Sequence, residues 1–434
     1  MTELTLSWIL GCVIILAFLV PYLRNWRKRD QHTRKRLEEA QVKGTDKALM
    51  QHPIIDLSAC IGCGICVRIC PEGEVLGLIS GKAVLINGAK CVGHELCKEN
   101  CPVGGIEVGL GDISARQDIP HLKENYESNI PGVYIVGELG GLALIRNAIN
   151  QGSSVGKDIK LSYKQHRTDV DFDVIVIGAG PAGMSTALEL VDSGLTTVMV
   201  DQDQPGGTIL QYPRRKLVMV QPVTLPHYGT LKNLEYTKEE LLEIWEGILN
   251  AKKLTYKSHH RMTALISDGD KFTVRTDKGD FTAGRVVLAL GRRGTPRKLG
   301  VPGEELPKVM YKLMDTETYQ NVNLLVVGGG DSAIEAAIGL AQQNGNHVTI
   351  SYRKNAFFRI KTKNQERLDR LVKDKLIKII FESDVKEITK DRVLLEKDGE
   401  TFEILNDYVF VFAGGLVPFP LLNEIGIQFG QVAA

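Results

Sequence analysis

Two stretches of this 434-residue chain repeat one pattern: a run of branched apolar residues, a glycine-rich turn, a segment of helical period and a second apolar run. In the first, residues 174–177 lead into Gly178, Gly180 and Gly183. Met184, Leu188 and Val191 then mark a helical face, and residues 197–200 end at Asp201. In the second, "NVNLLVVGGGDSAIEAAIGLAQQNGNHVTISYRK", Gly328, Gly330 and Ala333 hold the three small-residue positions. Ser351 follows Gly328 by the same interval by which Asp201 follows Gly178. A lone GxGxxG is weak evidence. One set between a strand and a helix, with an acid after the second strand, specifies a βαβ dinucleotide fold. The chain is therefore expected to be α/β, with two Rossmann-type domains.

The residues around each loop separate the two ligands. The glycines let a pyrophosphate approach the helix N-terminus, where backbone N–H groups and the helix dipole bind anions. Asp201 is suited to accept hydrogen bonds from a ribose. In the second copy Ser351 takes the acid's place, and Arg353, Lys354 and Arg359 follow. An acid there would repel a 2′-phosphate, whereas arginine grips it bidentately. The first fold is accordingly read as the FAD site and the second as the NADPH site, with NADH the less favoured ligand.

Seven of the eight cysteines fall between positions 60 and 101; Cys12 stands apart in an apolar run. "CIGCGICVRICP" supplies Cys60, Cys63, Cys66, Cys70 and Pro71, the C-x2-C-x2-C-x3-C-P run of bacterial ferredoxins. Zinc usually takes paired cysteines with a longer gap. The second half, "CVGHELCKENCP", gives Cys91, Cys97 and Cys101, with His94 where the second cysteine would stand. The fourth cysteine of each run usually serves the other cluster. One [4Fe-4S] cluster then has Cys60, Cys63, Cys66 and Cys101. A second site has Cys70, Cys91 and Cys97, completed by His94 as a [4Fe-4S] cluster, left as [3Fe-4S], or empty. Histidine ligation has precedent in Rieske centres. Residues 51–110 thus resemble a two-cluster bacterial ferredoxin.

Together with "GGTI" at 206–209, "LALGRRGTP" at 288–296 and "GVPGEE" at 300–305, the two glycine loops resemble the thioredoxin reductase family of flavoproteins. That family includes ferredoxin–NADP reductases. The resemblance implies that Gly207 and Thr208 lie near the isoalloxazine and that Gly291 sits at the junction of the FAD and NADPH domains. It departs in one respect at once: no cysteine follows Cys101, so the flavin domains lack the C-x-x-C of thioredoxin reductases.

A second departure is one of order. The family closes with a strand, a Gly-Asp that binds the flavin, and a helix. Here that piece reads "NIPGVYIVGELGGLALIRNAINQG", residues 129–152, ahead of the first glycine loop, with Gly137-Glu138 in the Gly-Asp place. The flavoprotein is expected to be circularly permuted. The expected organisation is a closing segment at 129–155, the FAD domain at 170–300, the NAD(P)H domain at 301–405, and a return to the FAD domain at 406–434.

Residues 4–23 contain no Asp, Glu, Lys or Arg, enough for a membrane-crossing helix, and seven Lys or Arg follow between 24 and 36. The positive-inside tendency puts that basic flank in the cytoplasm. A cleaved signal would want its basic residues before the apolar run. Residues 1–24 are read as an inner-membrane anchor, single-pass with the N-terminus outside, and 25–50 as a basic helical stalk. With 53 basic and 52 acidic residues overall, nothing favours nucleic acid. "YPRRKL" at 212–217 follows the expected flavin loop, with FAD phosphate, an acidic carrier or solvent as its partner and solvent the favoured one, and residues 237–249 are read as a scaffold helix opened by a capping box of Thr237 and Glu240.

The expected activity is that of a membrane-anchored NAD(P)H:acceptor oxidoreductase. Its partner would be a one-electron carrier: a ferredoxin, a cytochrome or a quinone-linked membrane protein. A homodimer is left open. The alternatives are a small-thiol disulfide reductase and an electron-transfer subunit of a larger membrane assembly. No acid–base catalytic residue is named, because the cofactors carry the chemistry.

Overall fold

The computed structural model describes residues 3–48, 52–109, 119–141, 144–163, 166–219, 222–233, 235–292, 296–358, 360–416 and 418–429. The chain forms two compact units, Met1–Gly111 and Asp112–Ala434.

The first unit begins with a 40-residue helix, Glu3–Val42, that contains Pro21. At 1.5 Å per residue it is about 60 Å long. It is long and apolar enough to cross a membrane, with a window of mean hydropathy 1.8 that is not buried by any of the described residues. The stretch expected as a stalk is not free-standing. Arg34 donates to Ser80 Oγ at 2.7 Å, and Asp30 accepts from the Ser80 N–H. Thr33 lies over Gly77, where a Cβ would come within 2.5 Å of the Thr33 methyl. Ala40 and Thr45 are buried. The last third of the helix therefore belongs to the packing of the cysteine-bearing domain.

That domain is built from two antiparallel pairs, His52–Ile55 with Ile106–Gly109 and Leu76–Ile79 with Lys82–Leu85. Two short helices, Ile65–Ile69 and Leu96–Glu99, complete it. Its core is small: Cys66, Val75, Leu76, Ala83 and Ile106. A core of that size supplies little hydrophobic stabilisation, and bound metal can supply folding free energy in such domains.

The second unit carries two main sheets. The first runs Tyr256–Lys257, Thr197–Val200, Phe172–Ile177, Gly279–Leu288, Lys271–Thr276, Met262–Asp268. A tight hairpin at Asp277-Lys278-Gly279 joins two of these strands. Val133–Ile135 pairs parallel with Val286–Leu288 of the same sheet. Helix Ile145–Ser162, which follows it, packs on helix Pro181–Leu190. Gly152 and Gly156, one turn apart on one face, permit the close approach. A Cβ at Gly152 would collide with Ala182 O, and one at Gly156 would lie 2.5 Å from Glu189 Cβ. Ser185 Oγ donates to Ile149 O at 2.7 Å across the same contact.

The second sheet is wholly parallel: Val309–Met310, Tyr408–Val411, Asn323–Val327, His347–Tyr352, Ile377–Phe381. Tyr408–Val411 is thus a strand of the second nucleotide fold. The chain returns to the first fold after Val411 and not at 406, because the hydrogen-bond ladder to Asn323–Val327 claims that strand. Helix Phe419–Ile425 then packs on Met262–Asp268, burying Leu422 and Ile427 in the first sheet's core.

Candidate functional site

In the first nucleotide fold, steric contact fixes each glycine of the loop. Gly178 has φ +108°, and a Cβ there would collide with Ala289 O. A Cβ at Gly183 would collide with Gly178 O, so the helix sits directly against the turn. Gly180 is the N-cap residue of Pro181–Leu190. The Gly206-Gly207 segment crosses above it: Gly206 donates to Ala179 O at 2.9 Å, and a Cβ at Gly207 would lie 2.9 Å from Gly180 Cα. Asp201 ends the second strand and ties the loop from its far side. It accepts from Ala179 N at 2.6 Å and Asp203 N at 2.8 Å. Burial pushes its carboxyl above the usual range despite those bonds. Gly180 gives the helix no side-chain cap, and a turn packed this closely at a helix N-terminus fits a dinucleotide's pyrophosphate.

Gly137 follows strand Val133–Ile135 with φ +81°, and its N–H donates to Gln151 Oε1 at 2.8 Å. Glu138 is half-buried in the same 3-10 turn. Thr208 lies in the turn Gly207–Gln211. Lys238, read only as part of a scaffold helix, is buried beneath that turn. Its ammonium donates to Leu210 O at 2.9 Å and Tyr212 O at 2.6 Å. A lysine at the first position of a capped helix gave no sign of this role; the capping box of Thr237 and Glu240 is present.

The second fold repeats the first with one offset. Gly328 has φ +140°, and a Cβ would lie 2.6 Å from Phe412 O, as Gly178 abuts Ala289 O. Gly330 is the N-cap residue of Asp331–Ala341, and Ala333 is fully buried. Strand register, however, differs. Gly178 N bonds Val200 O, whereas Gly328 N bonds Ser351 O. The residue after the strand-end partner is therefore Tyr352, not Ser351, in the place of Asp201. Equal counts along the chain do not fix a register that pairing sets. Ser351 is buried, with its hydroxyl 2.8 Å from Ser383 Oγ. The Tyr352 ring lies flat over Gly329, where a Cβ would sit 2.5 Å from it, and stacks on Phe357 at 5.4 Å. Arg353 and Lys354 are exposed just beyond. Arg359 lies outside the described residues.

The basic stretch at 212–217 is not simply solvated. Arg214 pairs with Asp315 at 3.6 Å, Arg215 with Glu317 at 3.5 Å, and Lys216 with Glu335 at 3.0 Å. Arg214 N also donates to Met314 O at 2.8 Å. A loop of the first fold thereby clasps the second.

In the cysteine-bearing unit two cavities of nearly equal size, about 340 and 350 Å³ with their mouths, divide the candidate ligands. Cys60, Cys63, Cys66 and Cys101 line the first. Cys70, Cys91, Cys97 and His94 line the second. The structure thus brings the eight expected side chains together in the crossed grouping. The loops that present them are copies. Cys63 lies between Gly62 and Gly64, both at φ +70°. His94 lies between Gly93 at φ +75° and Glu95 at φ +63°. A left-handed non-glycine such as Glu95 costs on the order of 1 kcal/mol, so the second loop keeps this shape against a local penalty.

Among the described residues no three His, Cys, Asp or Glu converge as they would on one ion. Burial raises the thiols of Cys66 and Cys70, and it raises Cys91 to about 11 and Cys97 to about 12; neighbouring cysteines add to the rise at Cys66, Cys91 and Cys97, and the Glu72 carboxylate adds to it at Cys70. Such groups hold their charge only against a strong cation. Four sulfur-lined positions fit a cubane, and three sulfurs with an imidazole fit one equally in size. Sequence reading overlooked Glu72, which is buried beside His94 in the second cavity. Its place after Cys70-Pro71 gave no hint of burial.

A family model for pyridine nucleotide-disulphide oxidoreductases matches residues 175–431, and one for the 4Fe-4S dicluster domain matches residues 52–102. The ferredoxin–NADP reductase of Ignicoccus hospitalis is 29% identical over 230 residues, covering 52% of this chain and 68% of that protein. The thioredoxin reductase of Listeria monocytogenes is 30% identical over 260 residues, covering 57% and 74%. The solved structure of the bacillithiol disulfide reductase Bdr from Staphylococcus aureus matches with a TM-score of 0.55 and 26% identity, over 60% of this chain and 82% of that one.

Proposed function

The chain belongs to the pyridine nucleotide-disulphide oxidoreductase family, and we propose that it works as a membrane-anchored NADPH:acceptor oxidoreductase. It is a flavin-dependent enzyme with an iron–sulfur domain. When bound, the cofactors supply hydride and single-electron transfer, so that one NADPH yields NADP+, one proton and two electrons for two one-electron acceptors. The observation that carries this reading is the pair of cysteine-lined cavities joined in one chain to a flavoprotein body that has no cysteine after Cys101.

The chain's own residues then have these parts. Gly178, Gly180, Gly183 and Asp201 hold FAD, with Gly207, Thr208, Gly137 and Glu138 near its flavin end. Gly328, Gly330 and Ala333 hold NADPH, and Arg353, Lys354 and Arg359 select its 2′-phosphate. Cys60, Cys63, Cys66 and Cys101 ligate one [4Fe-4S] cluster; Cys70, Cys91, Cys97 and His94 ligate a second. Support for His94 comes from the matched loop geometry at positions 62–64 and 93–95. Helix Glu3–Val42 anchors the body to the cytoplasmic face of the inner membrane, a reading supported by its apolar length and basic flank.

The closing segment at 129–155 is read as permuted. Its strand lies in the first sheet, and its approach borders the chain's last described residues: His121 N donates to Gln428 O at 2.9 Å.

A second reading, reduction of a small-thiol disulfide, is favoured by the likeness to the Staphylococcus aureus Bdr structure. One experiment separates them. The protein is purified anaerobically in detergent, assayed for iron and flavin, and titrated with NADPH while low-temperature EPR is recorded. Flavin bleaching with a reduced-cluster signal, and turnover with one-electron dyes but not disulfides, is the expected result. Bleaching with intact, silent clusters and turnover of a low-molecular-weight disulfide would replace the first reading by the second.

A further inference from the structure

The second cysteine cavity contains a buried carboxylate beside the one candidate ligand that is not sulfur. Glu72 and His94 are each 7% exposed, and Glu72 Oε1 lies 3.7 Å from His94 Nε2. The backbone N–H of Glu72 hydrogen-bonds the Cys70 thiol. One candidate ligand therefore fixes where Glu72 begins, while its side chain faces another.

The first cavity supplies the comparison. Val103 follows Cys101-Pro102 as Glu72 follows Cys70-Pro71, and it lines the first cavity. Where the loop presents Cys63, the equivalent wall position is apolar. Where the loop presents His94, it is a carboxylate. A thiolate needs no partner to choose its donor atom. An imidazole does: its two nitrogens differ, and the hydrogen bond on one sets which is left for metal. Isolated carboxylates are costly to bury, so its position beside the imidazole has a physical reason.

We propose that Glu72 is the positioning residue of His94. At ion-pair distance its charge favours the proton on Nε2 and steadies the ring in the cavity wall, which would leave Nδ1 as the nitrogen for iron. The proposal rests on the reading of His94 as the fourth ligand. Partners of metal-bound histidines typically change metal affinity about 10- to 100-fold when removed. A carboxylate against Nε2–H also raises the basicity of Nδ1, and through that nitrogen it favours the more oxidised cluster at this site.

The test uses the full chain in detergent, with iron and sulfide per chain, EPR and the midpoint potential of each cluster signal. The variants are Glu72→Gln, Glu72→Asp, His94→Ala, His94→Cys and the double Glu72→Gln/His94→Cys. Glu72→Gln is expected to raise the midpoint of one signal, to leave the other in place, and to make the affected cluster lose iron to a chelator about 10- to 100-fold faster. Glu72→Asp is expected to restore part of both. In the His94→Cys background Glu72→Gln is expected to lose most of its effect. An equal shift in both backgrounds overturns the proposal, since Glu72 then acts as a bare charge. Unchanged midpoints and iron retention in Glu72→Gln, with cluster loss in His94→Ala, also overturn it while leaving ligation by His94 intact. Full iron and unaltered spectra in His94→Ala remove the ligand reading itself and the proposal with it. Should Glu72→Gln fail to assemble either cluster, Glu72→Asp decides: assembly of both clusters with the midpoint of one of them shifted supports positioning, and assembly of neither cluster, or of both with native midpoints and iron retention, overturns it.

Discussion

Asn129 and Gln428 stand 299 positions apart and are hydrogen-bonded, Gln428 N donating to Asn129 Oδ1 at 2.9 Å. Asn129 Nδ2 in turn donates to Gly426 O at 2.9 Å, and Pro120 forms an antiparallel bridge with Phe429. The last described residues thus run beside the approach to strand Val133–Ile135. On the permuted reading proposed above, that is where an unpermuted chain would pass directly from one to the other. A relinked variant that starts at residue 166, runs to 429 and continues through a short linker into 119–163 is expected to fold and retain FAD. Permutation costs little where the joined ends are adjacent at the surface. An insoluble or flavin-free product, with the same 119–429 body in native order binding FAD, would count against the permuted reading.

What the sequence made legible follows from local sterics. Gly178, Gly183 and Gly328 are required where backbone meets backbone, so glycine patterns announce the loops whatever the surrounding fold. The turn at Asp277-Lys278-Gly279 and the capping box at Thr237 are legible for the same reason. Long-range pairing was not. Tyr352 takes the position assigned to Ser351 because strand register is settled between strands. The partners of Arg214, Arg215 and Lys216 lie about a hundred residues onward, where no local pattern joins them. Glu72 looks like any exposed acid until the cavity closes around it.

The clasp at Lys216 gives a charge-swap prediction. Its pair with Glu335 is only partly exposed, at 24% and 33% of the side chains. Pairs of this kind are worth about 0.2–1 kcal/mol and weaken with salt. Lys216→Glu and Glu335→Lys are each expected to change the rate of flavin bleaching by NADPH in stopped flow, by less than about 10-fold. The double swap is expected to recover the native rate, and raised salt to mimic the single variants. Additive losses in the double variant would mean the two residues act separately.

Gly329 gives a sharper prediction for the second nucleotide fold. A methyl there meets the Tyr352 ring, itself held by Phe357 and, through it, Phe381. Gly329→Ala is expected to weaken NADPH binding while FAD content stays at the native ratio. Arg353→Ala with Lys354→Ala is expected to raise the KM for NADPH about 10-fold or more and leave that for NADH little changed, since each 1.4 kcal/mol of lost phosphate binding is worth about tenfold. Equal losses for both nucleotides would mean these cations grip a part the two share, and no change for either would assign them to the solvent.

Lys238 ties the turn Gly207–Gln211 to the core, and its removal tests whether that turn holds the flavin. Lys238→Met keeps the apolar stem but leaves Leu210 O and Tyr212 O without the ammonium. Buried carbonyls deprived of a donor cost about 1–3 kcal/mol each. The variant is expected to lose FAD on desalting and to unfold at lower temperature, with the iron content of the cysteine-bearing unit unchanged. A pH series adds a second readout. Burial lowers the Lys238 ammonium from its usual 10.5. Between the lowered value and 10.5 the unfolded chain binds the extra proton, so this residue's contribution to stability rises with pH in that window. Below the window the burial penalty is constant. The native chain minus Lys238→Met should therefore show a stability difference that grows as pH is raised toward 10.5 and is flat at neutral pH. Native flavin retention in Lys238→Met would show that the turn is held by its backbone alone.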